Sequence, residues 1–411
     1  MQVVNTLLEI IRREIHKCGV LPFARFMELA LYCPDCGYYE TKLDIGRRGD
    51  FYTSVNVGEL FGQLLACQFA EWLEAEVSSQ RSAVRIVEAG AHDGKLAGDI
   101  LKWLQLNRSK LFNQLEYVIV EPSARRQKWQ RETLKIFAPR VHWFKDFESL
   151  SLVTGRSSLN GIIFSNELLD AFPVHRFGWD AKTKTWFEWG VAVEGDKFVW
   201  TRMSDSLAPQ IGERAWARGA LPSDILNLLA RRSEADADPS SLLAVLPDSY
   251  TIETSPAAGN WWREAAGVLA RGKLLAIDYG LTADEMFSPA RTRGTLRAYF
   301  RHHATDDVLA NPGEQDLTAH VNFSAIQKAG EDAGLTTEFL GSQAKFLTQI
   351  LEKTLADDSF GGLVAPKSDE DGLVASKRSE DGWTAKQARQ FQTLTHPEHL
   401  GRAFRVLVQS R

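Results

Sequence analysis

The chain has 411 residues, enough for one large domain or two ordinary domains with a substantial core. Charged residues make up 25% and hydrophobic residues 44% of it, a composition typical of soluble globular proteins. The net charge of −5, without a Lys/Arg-rich block, gives no reason to expect a nucleic-acid partner. No apolar run is long enough to span a membrane, and the N-terminal stretch, which carries Glu9 and Glu14, does not resemble a secretory signal, so we expect a cytoplasmic protein.

The first 80 residues are predicted to be helical at both ends, with a long loop between the helices. This loop is rich in glycine, aromatic and charged residues, and long loops of this kind tend to cover functional sites. Cys33 and Cys36 have the spacing of half a zinc site, but no second pair of this kind follows. We therefore interpret the pair as part of a turn and expect no metal.

From residue 84 onward, apolar runs alternate with helical patterns. This alternation predicts a mostly parallel sheet with helices on both faces, built on strands near 84–90, 115–121, 141–146, 161–166 and 273–279. Another apolar run, residues 403–409, is expected to add an antiparallel strand at the edge of the sheet.

The first of these strands ends at a turn bracketed by glycines. Glu88 precedes Gly90, and a helix follows Gly94, which is the geometry of nucleotide sites at the carboxyl end of a parallel sheet. The dinucleotide fingerprint would need glycine at positions 90, 92 and 95, but His92 and Lys95 stand at two of them. The turn therefore favours S-adenosylmethionine, which carries no phosphate, over NAD.

Acidic residues end the next two strands as well. Glu121 is placed to accept hydrogen bonds from ribose hydroxyls, although a solvated strand-end glutamate would look the same. Asp146 is placed to meet the adenine amino group. We predict that the residues holding the cofactor are Glu88, Gly90, Asp93, Gly94, Glu121, Asp146 and Asn166.

The fourth strand is followed by Asn166, Glu167 and Asp170. Methyl transfer requires a nucleophile placed in line with the sulfonium, and an arginine nucleophile is a charged guanidinium. Carboxylates can clamp and orient a guanidinium and offset its charge. Glu167 is the first choice for this clamp and Asp170 the second. The alternative is a strand followed by a capped turn at Pro173, with both acids merely solvated.

About a hundred residues are inserted between the fourth and fifth strands. Period-two alternation over 174–203 predicts antiparallel β structure in which Trp179, Trp186, Trp189 and Trp200 pack on one another, with an aromatic binding face as the alternative. Further along, residues 362–371 are nearly repeated at 372–381, which we interpret as a mobile surface loop. We thus expect a helical N-terminal region, 1–80, and a core, 81–411, with an insertion at about 175–260 and a loop at about 361–382.

Several motifs occur in the order found in one known family. The chain resembles the MidA-like family of S-adenosylmethionine-dependent methyltransferases, which includes the mitochondrial arginine methyltransferase acting in assembly of respiratory complex I. The resemblance spans about Leu21 to Val408 and rests on MELALYCPDCGYY, GRRGDFYTS, SNELLDAFPV, LLAIDYG, GTLRAYFRHH and GEQDLTAHVNF. It implies an α/β fold of the class I methyltransferase type: a Rossmann-like, seven-stranded mixed sheet with a helical N-terminal cover and a β-rich insertion.

The resemblance also implies roles for individual residues. Phe51 and Thr53 would lie on the cover over the cofactor, Asp50 would help to shape the site, and Glu167 would be the acid that clamps the substrate. The substrate side would be lined by Asp278, Tyr279, Arg297, Tyr299, Asp316 and His320. The family commonly has a glycine-proline-glycine turn, whereas His92 adds bulk at this point of the chain.

By this resemblance the chain is expected to be a protein arginine N-methyltransferase that uses S-adenosyl-L-methionine. Its partner would be a protein, with a respiratory-complex subunit as one candidate, and neither nucleic acid nor membrane insertion is expected. Two alternatives stay open: a non-catalytic assembly factor or chaperone with a methyltransferase fold, and a methyltransferase acting on a small molecule.

Overall fold

A computed structural model describes residues 2–41, 53–77, 84–155, 158–203, 246–288, 291–301, 303–356 and 384–411. The chain forms two compact units, each assembled from separate stretches of sequence. The first unit comprises Met1–Phe51, Asp170–Asn260 and Leu281–Ile326; the second comprises Tyr52–Leu169, Trp261–Gly280 and Gln327–Arg411.

This division differs from the expected boundary at residue 80. The helix Glu59–Val77 belongs to the second unit, because its apolar side chains share a core with the helix Lys95–Asn107. The first unit also includes residues 281–326, which sequence reasoning had not separated from the sheet. Two expected features, the Gly49-Asp50-Phe51 loop and the loop at about 361–382, lie outside the described residues.

The second unit is built on a path of seven strands. All neighbours in the path are parallel except for Phe404–Ser410, which is antiparallel to both of the strands beside it. The spatial order is Thr336–Ser342, Phe404–Ser410, Leu269–Leu281, Leu159–Asn166, Val84–Ala89, Leu115–Val120 and Val141–Phe144. The predicted seven-stranded mixed sheet of a class I methyltransferase is confirmed.

One strand position was wrong. The strand Phe404–Ser410 was expected at the edge of the sheet, yet it lies between Leu269–Leu281 and Thr336–Ser342. The edge strand has the sequence TTEFLGS, and most of its residues are partly or fully exposed. It was missed because an edge strand needs no continuous apolar run.

The helices assigned to the second unit bury apolar faces. In Lys95–Asn107, for example, Leu96, Ile100 and Leu104 are buried at helical spacing. Its other helices are Ser54–Val57, Glu59–Val77, Ser109–Gln114, Ala124–Thr133, Phe147–Thr154, Gln343–Ala356, Ala385–Thr395 and Leu400–Ala403, with a 3-10 helix at Lys135–Arg140. Two more helices, Pro256–Val268 and Phe323–Asp332, and a 3-10 turn at Leu169–Ala171, cross the unit boundaries in sequence.

The first unit contains the predicted antiparallel insertion. Trp179 and Trp186 have ring centroids 5.3 Å apart, and Trp189 and Trp200 are 6.4 Å apart, so the tryptophans pack on one another as expected. Its sheets comprise Leu21–Pro22, His175–Asp180, Thr185–Glu194, Lys197–Arg202 and Thr251–Thr254, and separately Arg297–Phe300, His303–Thr305 and Asp316–Thr318; a two-residue strand lies at Val321–Asn322. Its helices are Gln2–Cys18, Phe23–Tyr32, Tyr38–Thr41 and Ala283–Met286.

None of the helices in the described ranges combines the length and the apolar character that crossing a membrane requires.

Two glycines lie side by side in the parallel part of the sheet. Gly161 and Gly272 are in register on neighbouring strands and have φ angles of 144° and 131°. A Cβ on Gly161 would lie 2.0 Å from the carbonyl oxygen of Arg85, a distance that no relaxation of a side chain can relieve. The close approach of three strands therefore depends on glycine at this point.

We expect Gly161→Ala to lower the free energy of unfolding by about 3 kcal/mol, because its methyl group must push two strands apart. Gly334→Ala is the matched control: its φ is also positive, at 85°, but the nearest atom is 3.5 Å from the added Cβ. Its cost should be about 1 kcal/mol, from backbone strain alone. Urea unfolding followed by tryptophan fluorescence measures both, and equal losses would contradict the clash.

Candidate active site

The turn after the strand Leu159–Asn166 is fixed to the neighbouring strand. The backbone N–H of Glu167 donates to the carbonyl of Ile277 over 2.9 Å. The carboxylate of Asp278, which is fully buried, accepts the N–H groups of Leu168 and Leu169 over 3.0 and 2.7 Å. Glu167 itself has a φ of +50°, a conformation that non-glycine residues keep only when their surroundings fix it.

The side chain of Glu167 is half-buried, and only one of its two carboxylate oxygens is engaged. Its Oε1 accepts the backbone N–H of Ser54 over 3.0 Å and the side-chain amide of Asn166 over 3.1 Å. Its Oε2 is buried and has no hydrogen-bond partner in the parts of the chain that the structure describes. Burial raises the pKa of Glu167 to about 8, and the two donors only partly offset this. An unpaired buried carboxylate oxygen is costly, so this atom is suited to receive a donor from a ligand.

Two neighbours of Glu167 have the same property. Within the described ranges, Asn166 Oδ1 and Ser165 Oγ are likewise buried without a hydrogen-bond partner. Three successive residues at one strand end therefore have unused acceptors. Guanidinium and ammonium groups offer several N–H donors to such acceptors.

The glycine-bracketed turn contacts the Glu167 loop. Gly90 has a φ of 74°, and a Cβ on it would lie 2.8 Å from Leu168 Cδ1. A side chain at position 90 would therefore be strained and would also press on the residue that follows Glu167. The sequence-predicted cofactor turn and the predicted substrate acid thus lie next to each other in the second unit.

The other residues of the turn shape the start of a helix. Gly94, with a left-handed backbone, caps the helix Lys95–Asn107, and Asp93 Oδ1 accepts the N–H of Lys95 over 3.0 Å. Burial raises the pKa of Asp93, but His92 and Lys95 outweigh it and leave this pKa lowered. His92 has a φ of 45°, and its Nε2 is buried with no hydrogen-bond partner among the residues described. The imidazole that adds bulk at position 92 therefore also has a ring nitrogen that can still form a hydrogen bond.

Glu88 is engaged within the sheet. Its Oε2 accepts the hydroxyl of Tyr117 over 2.7 Å, and burial raises its pKa to about 8 despite this bond. Its contact with the cofactor stays a prediction.

Glu121 is more enclosed than the sequence suggested. It is 1% exposed, its Oε1 accepts the N–H of Ser123 and Nε of Arg126, and its Oε2 accepts the amide of Gln130. Burial raises its pKa even though Arg126 opposes this. Arg126 Nη2 also lies 3.0 Å from Oε1, so both oxygens of Glu121 are engaged within the protein. Its contact with the ribose stays a prediction.

Asp146 has a structural role that the sequence reasoning did not consider. Its Oδ1 accepts the N–H of Ser149 over 2.7 Å, and the pair forms a capping box for the helix Phe147–Thr154. The bonds to Ser149 lower the pKa of Asp146. Its contact with adenine stays a prediction.

The remaining predicted site residues do not all lie in the second unit. Thr53 is the N-cap of the short helix Ser54–Val57, so it positions the Ser54 amide that Glu167 binds. Asp50 and Phe51 lie outside the described residues. Asp170 belongs to the first unit, where it is buried and its carbonyl accepts the N–H of Ala319. Its pairing with Glu167 stays a prediction.

Sequence reasoning missed Ser54 and did not foresee the bonds of Asp278. Ser54 contributes a backbone N–H, which leaves no signature in the residue type; only the Thr-Ser pair at a helix start hinted at it. The carboxylate of Asp278 holds backbone amides of the Glu167 turn, and its expected place on the substrate side stays a prediction.

In the parts of the chain that the structure describes, no group of three or more His, Cys, Asp or Glu residues is arranged to hold a metal ion. Cys33 and Cys36 form a turn with their sulfur atoms 2.9 Å apart.

Comparison with known proteins gives the family. Residues 64–340 match a family described as "Putative S-adenosyl-L-methionine-dependent methyltransferase". The chain belongs to this family. S-adenosyl-L-methionine is accordingly its cofactor, and the orphaned acceptors beside the Gly90 turn are consistent with a ligand there.

Individual relatives agree with the MidA-like resemblance. The mitochondrial protein arginine methyltransferase NDUFAF7 of Mus musculus is 27% identical over 348 residues, covering 80% of this chain and 70% of its own. The human NDUFAF7 is 27% identical over 355 residues, with 80% and 69% covered. A Burkholderia thailandensis structure bound to S-adenosyl-homocysteine is 32% identical, with a TM-score of 0.75 and 100% and 93% of the two chains covered.

The raised pKa of Glu88 predicts a pH-dependent stability. An acid whose pKa is higher in the folded state than in the unfolded state stabilises the fold at low pH and loses this contribution as pH rises through the folded value. Between about pH 5 and 8, wild type should therefore lose about 1.4 kcal/mol per pH unit more than Glu88→Gln, which stays neutral. Denaturant unfolding at a series of pH values measures this difference. Glu116→Gln, on the adjacent strand and partly exposed, is the control and should follow wild type.

Proposed function

We propose that this protein transfers a methyl group from S-adenosylmethionine to the guanidinium of an arginine side chain in a protein. The observation that carries the proposal is the buried Glu167 Oε2, which has no partner among the described residues although Oε1 has two. The NDUFAF7 relatives, named as protein arginine methyltransferases, support the same acceptor.

The residues of the chain would act on the acceptor in two ways. Because a guanidinium stays protonated far above neutral pH, it needs a carboxylate that orients one nitrogen and offsets the charge. Ser54 and Asn166 hold Glu167 Oε1, which leaves Oε2 to receive the guanidinium N–H. The bound cofactor supplies an electrophilic methyl group on a sulfonium.

Glu167 is also suited to take the proton that the attacking nitrogen must lose. A carboxylate whose pKa is raised to about 8 is a better proton acceptor than an ordinary glutamate. Burial excludes water and strengthens its attraction to the guanidinium. Asp170 as the second clamp and Asp50 as a residue that shapes the site stay part of this proposal.

The identity of the acceptor protein is a separate proposal from the type of reaction. A respiratory-complex subunit is the first acceptor to test, because relatives with 26–28% identity are mitochondrial arginine methyltransferases and the family resemblance includes complex I assembly. We place the reaction in the cytoplasm, on the sequence argument alone.

Glu167→Gln should lower kcat for arginine methylation at least about 100-fold, since it removes the charge that faces the guanidinium while keeping the shape. Its affinity for S-adenosyl-homocysteine, measured by calorimetry, should stay within about twofold of wild type. Methyl transfer from labelled cofactor to an arginine-containing protein measures the rate, with Glu116→Gln as control.

Other outcomes of this assay separate the alternatives. Cofactor binding without transfer to any acceptor would favour the assembly factor, and labelling of metabolites but not of arginine would favour a small-molecule enzyme. Full activity in Glu167→Gln would overturn the proposed role of this residue.

The activity should also depend on pH in a defined direction. The clamp needs Glu167 ionised, so kcat/KM for the arginine substrate should rise with pH and level off above about 8. Initial rates at low acceptor concentration between pH 6 and 9.5, in buffers of matched ionic strength, measure the profile. A flat profile over this range would show that Glu167 does not titrate in the free enzyme as its burial requires.

A further inference from the structure

A buried amide lies at the start of the helix Gln343–Ala356. Gln343 has no exposed surface, and the buried residues that follow it on this helix, Phe346, Leu347 and Ile350, belong to the apolar core. Removing a primary amide from water costs free energy unless its donors and acceptor are satisfied. A leucine would pack at this position without that cost, so we expect the hydrogen bonds of the Gln343 amide to have a specific role.

Gln343 connects two other parts of the second unit. Its Oε1 accepts the hydroxyl of Ser54 over 3.1 Å, and its Nε2 donates to the carbonyl of Leu394 over 3.0 Å. Leu394 lies near the end of the helix Ala385–Thr395, and both Leu394 and Ser54 are fully buried. The Gln343 amide is therefore held through its nitrogen by the Leu394 carbonyl, and through its oxygen it holds the Ser54 hydroxyl.

Ser54 passes this constraint to Glu167. The first N–H groups of a helix have no partner within the helix, and Ser54 is the first residue of Ser54–Val57. Its N–H donates to Glu167 Oε1. A four-residue helix has few bonds of its own to fix this N–H, so the bond from Ser54 Oγ to Gln343 adds to the Thr53 cap in fixing its place.

We infer that Gln343 is a positioning residue for Glu167 and acts through Ser54. By fixing the Ser54 amide it determines which carboxylate oxygen is occupied and which remains open. The inference rests on the proposed function in so far as Glu167 is the acid that receives the acceptor.

Three variants test this connection. Gln343→Leu removes both amide bonds, Ser54→Ala removes only the hydroxyl and keeps the N–H, and the third variant combines both changes. Each single variant should lower kcat about tenfold, because the carboxylate is less precisely held. The double variant should lose no more than either single variant, since both break the same connection.

Thr354→Val is the matched control on the same helix. Thr354 is buried, and its hydroxyl bonds only the carbonyls of Ile350 and Leu351 within the helix. The free energy of unfolding of Thr354→Val should fall as it does when other buried hydroxyls are lost, while its kcat stays within about twofold of wild type. A purely structural role of Gln343 would make its variant behave like this control.

The pH profile gives a readout that packing alone would not move. The Ser54 N–H lowers the pKa of Glu167, and the charge of Asp278, which all the variants retain, raises it. Weakening the Ser54 bond should therefore shift the rising limb of kcat/KM to higher pH in Gln343→Leu and Ser54→Ala, but not in Thr354→Val.

An infrared titration tests the connection without any methyl acceptor. The carboxyl band of Glu167, assigned by its loss in Glu167→Gln, should titrate at higher pH in Gln343→Leu and Ser54→Ala than in wild type. If wild type methylates no arginine but this shift is seen, the proposed function fails and the inference stands. If the folded variants titrate as wild type, the inference is overturned; should Gln343→Leu not fold, Ser54→Ala decides in the same way.

Discussion

The second unit is organised around one buried carboxylate. Glu167 stands at a strand end with a left-handed backbone, and bonds from Ile277, Asp278, Ser54 and Asn166 hold its backbone turn and one of its oxygens. Burying an acid in this way is unfavourable, as the raised pKa shows, and the cost is tolerated because surrounding groups over-determine the position. The oxygen left open is Oε2, since Ser54 and Asn166 both bond Oε1.

The large elements could be predicted because their signals are periodic and local. Buried parallel strands such as Val84–Ala89 read as apolar runs, and the alternation with helices indicates a parallel sheet. The tryptophan-rich insertion was equally clear from its period-two pattern. The glycine turn and Glu167 were found because residue type and position at a strand end suffice to indicate a site.

The roles within the site could not be predicted to the same depth. Sequence shows that an acid ends a strand, but not whether its oxygens are already occupied, as in Glu121, or whether it caps a helix, as in Asp146. The edge strand Thr336–Ser342 and the contribution of Ser54 depend on backbone bonds, which residue types hardly reveal. The division into two units depends on which distant segments meet, and spacing along the chain does not encode that.

The position of Phe404–Ser410 has a consequence for biosynthesis. This strand pairs with both Leu269–Leu281 and Thr336–Ser342. Each of these neighbours therefore leaves the ribosome with one edge whose backbone N–H and C=O groups still lack their partners. Until more than sixty further residues are translated, the nascent chain exposes apolar β structure of the kind that aggregates or recruits chaperones. The sheet of the second unit is therefore completed only when this strand, translated after both neighbours, inserts between them.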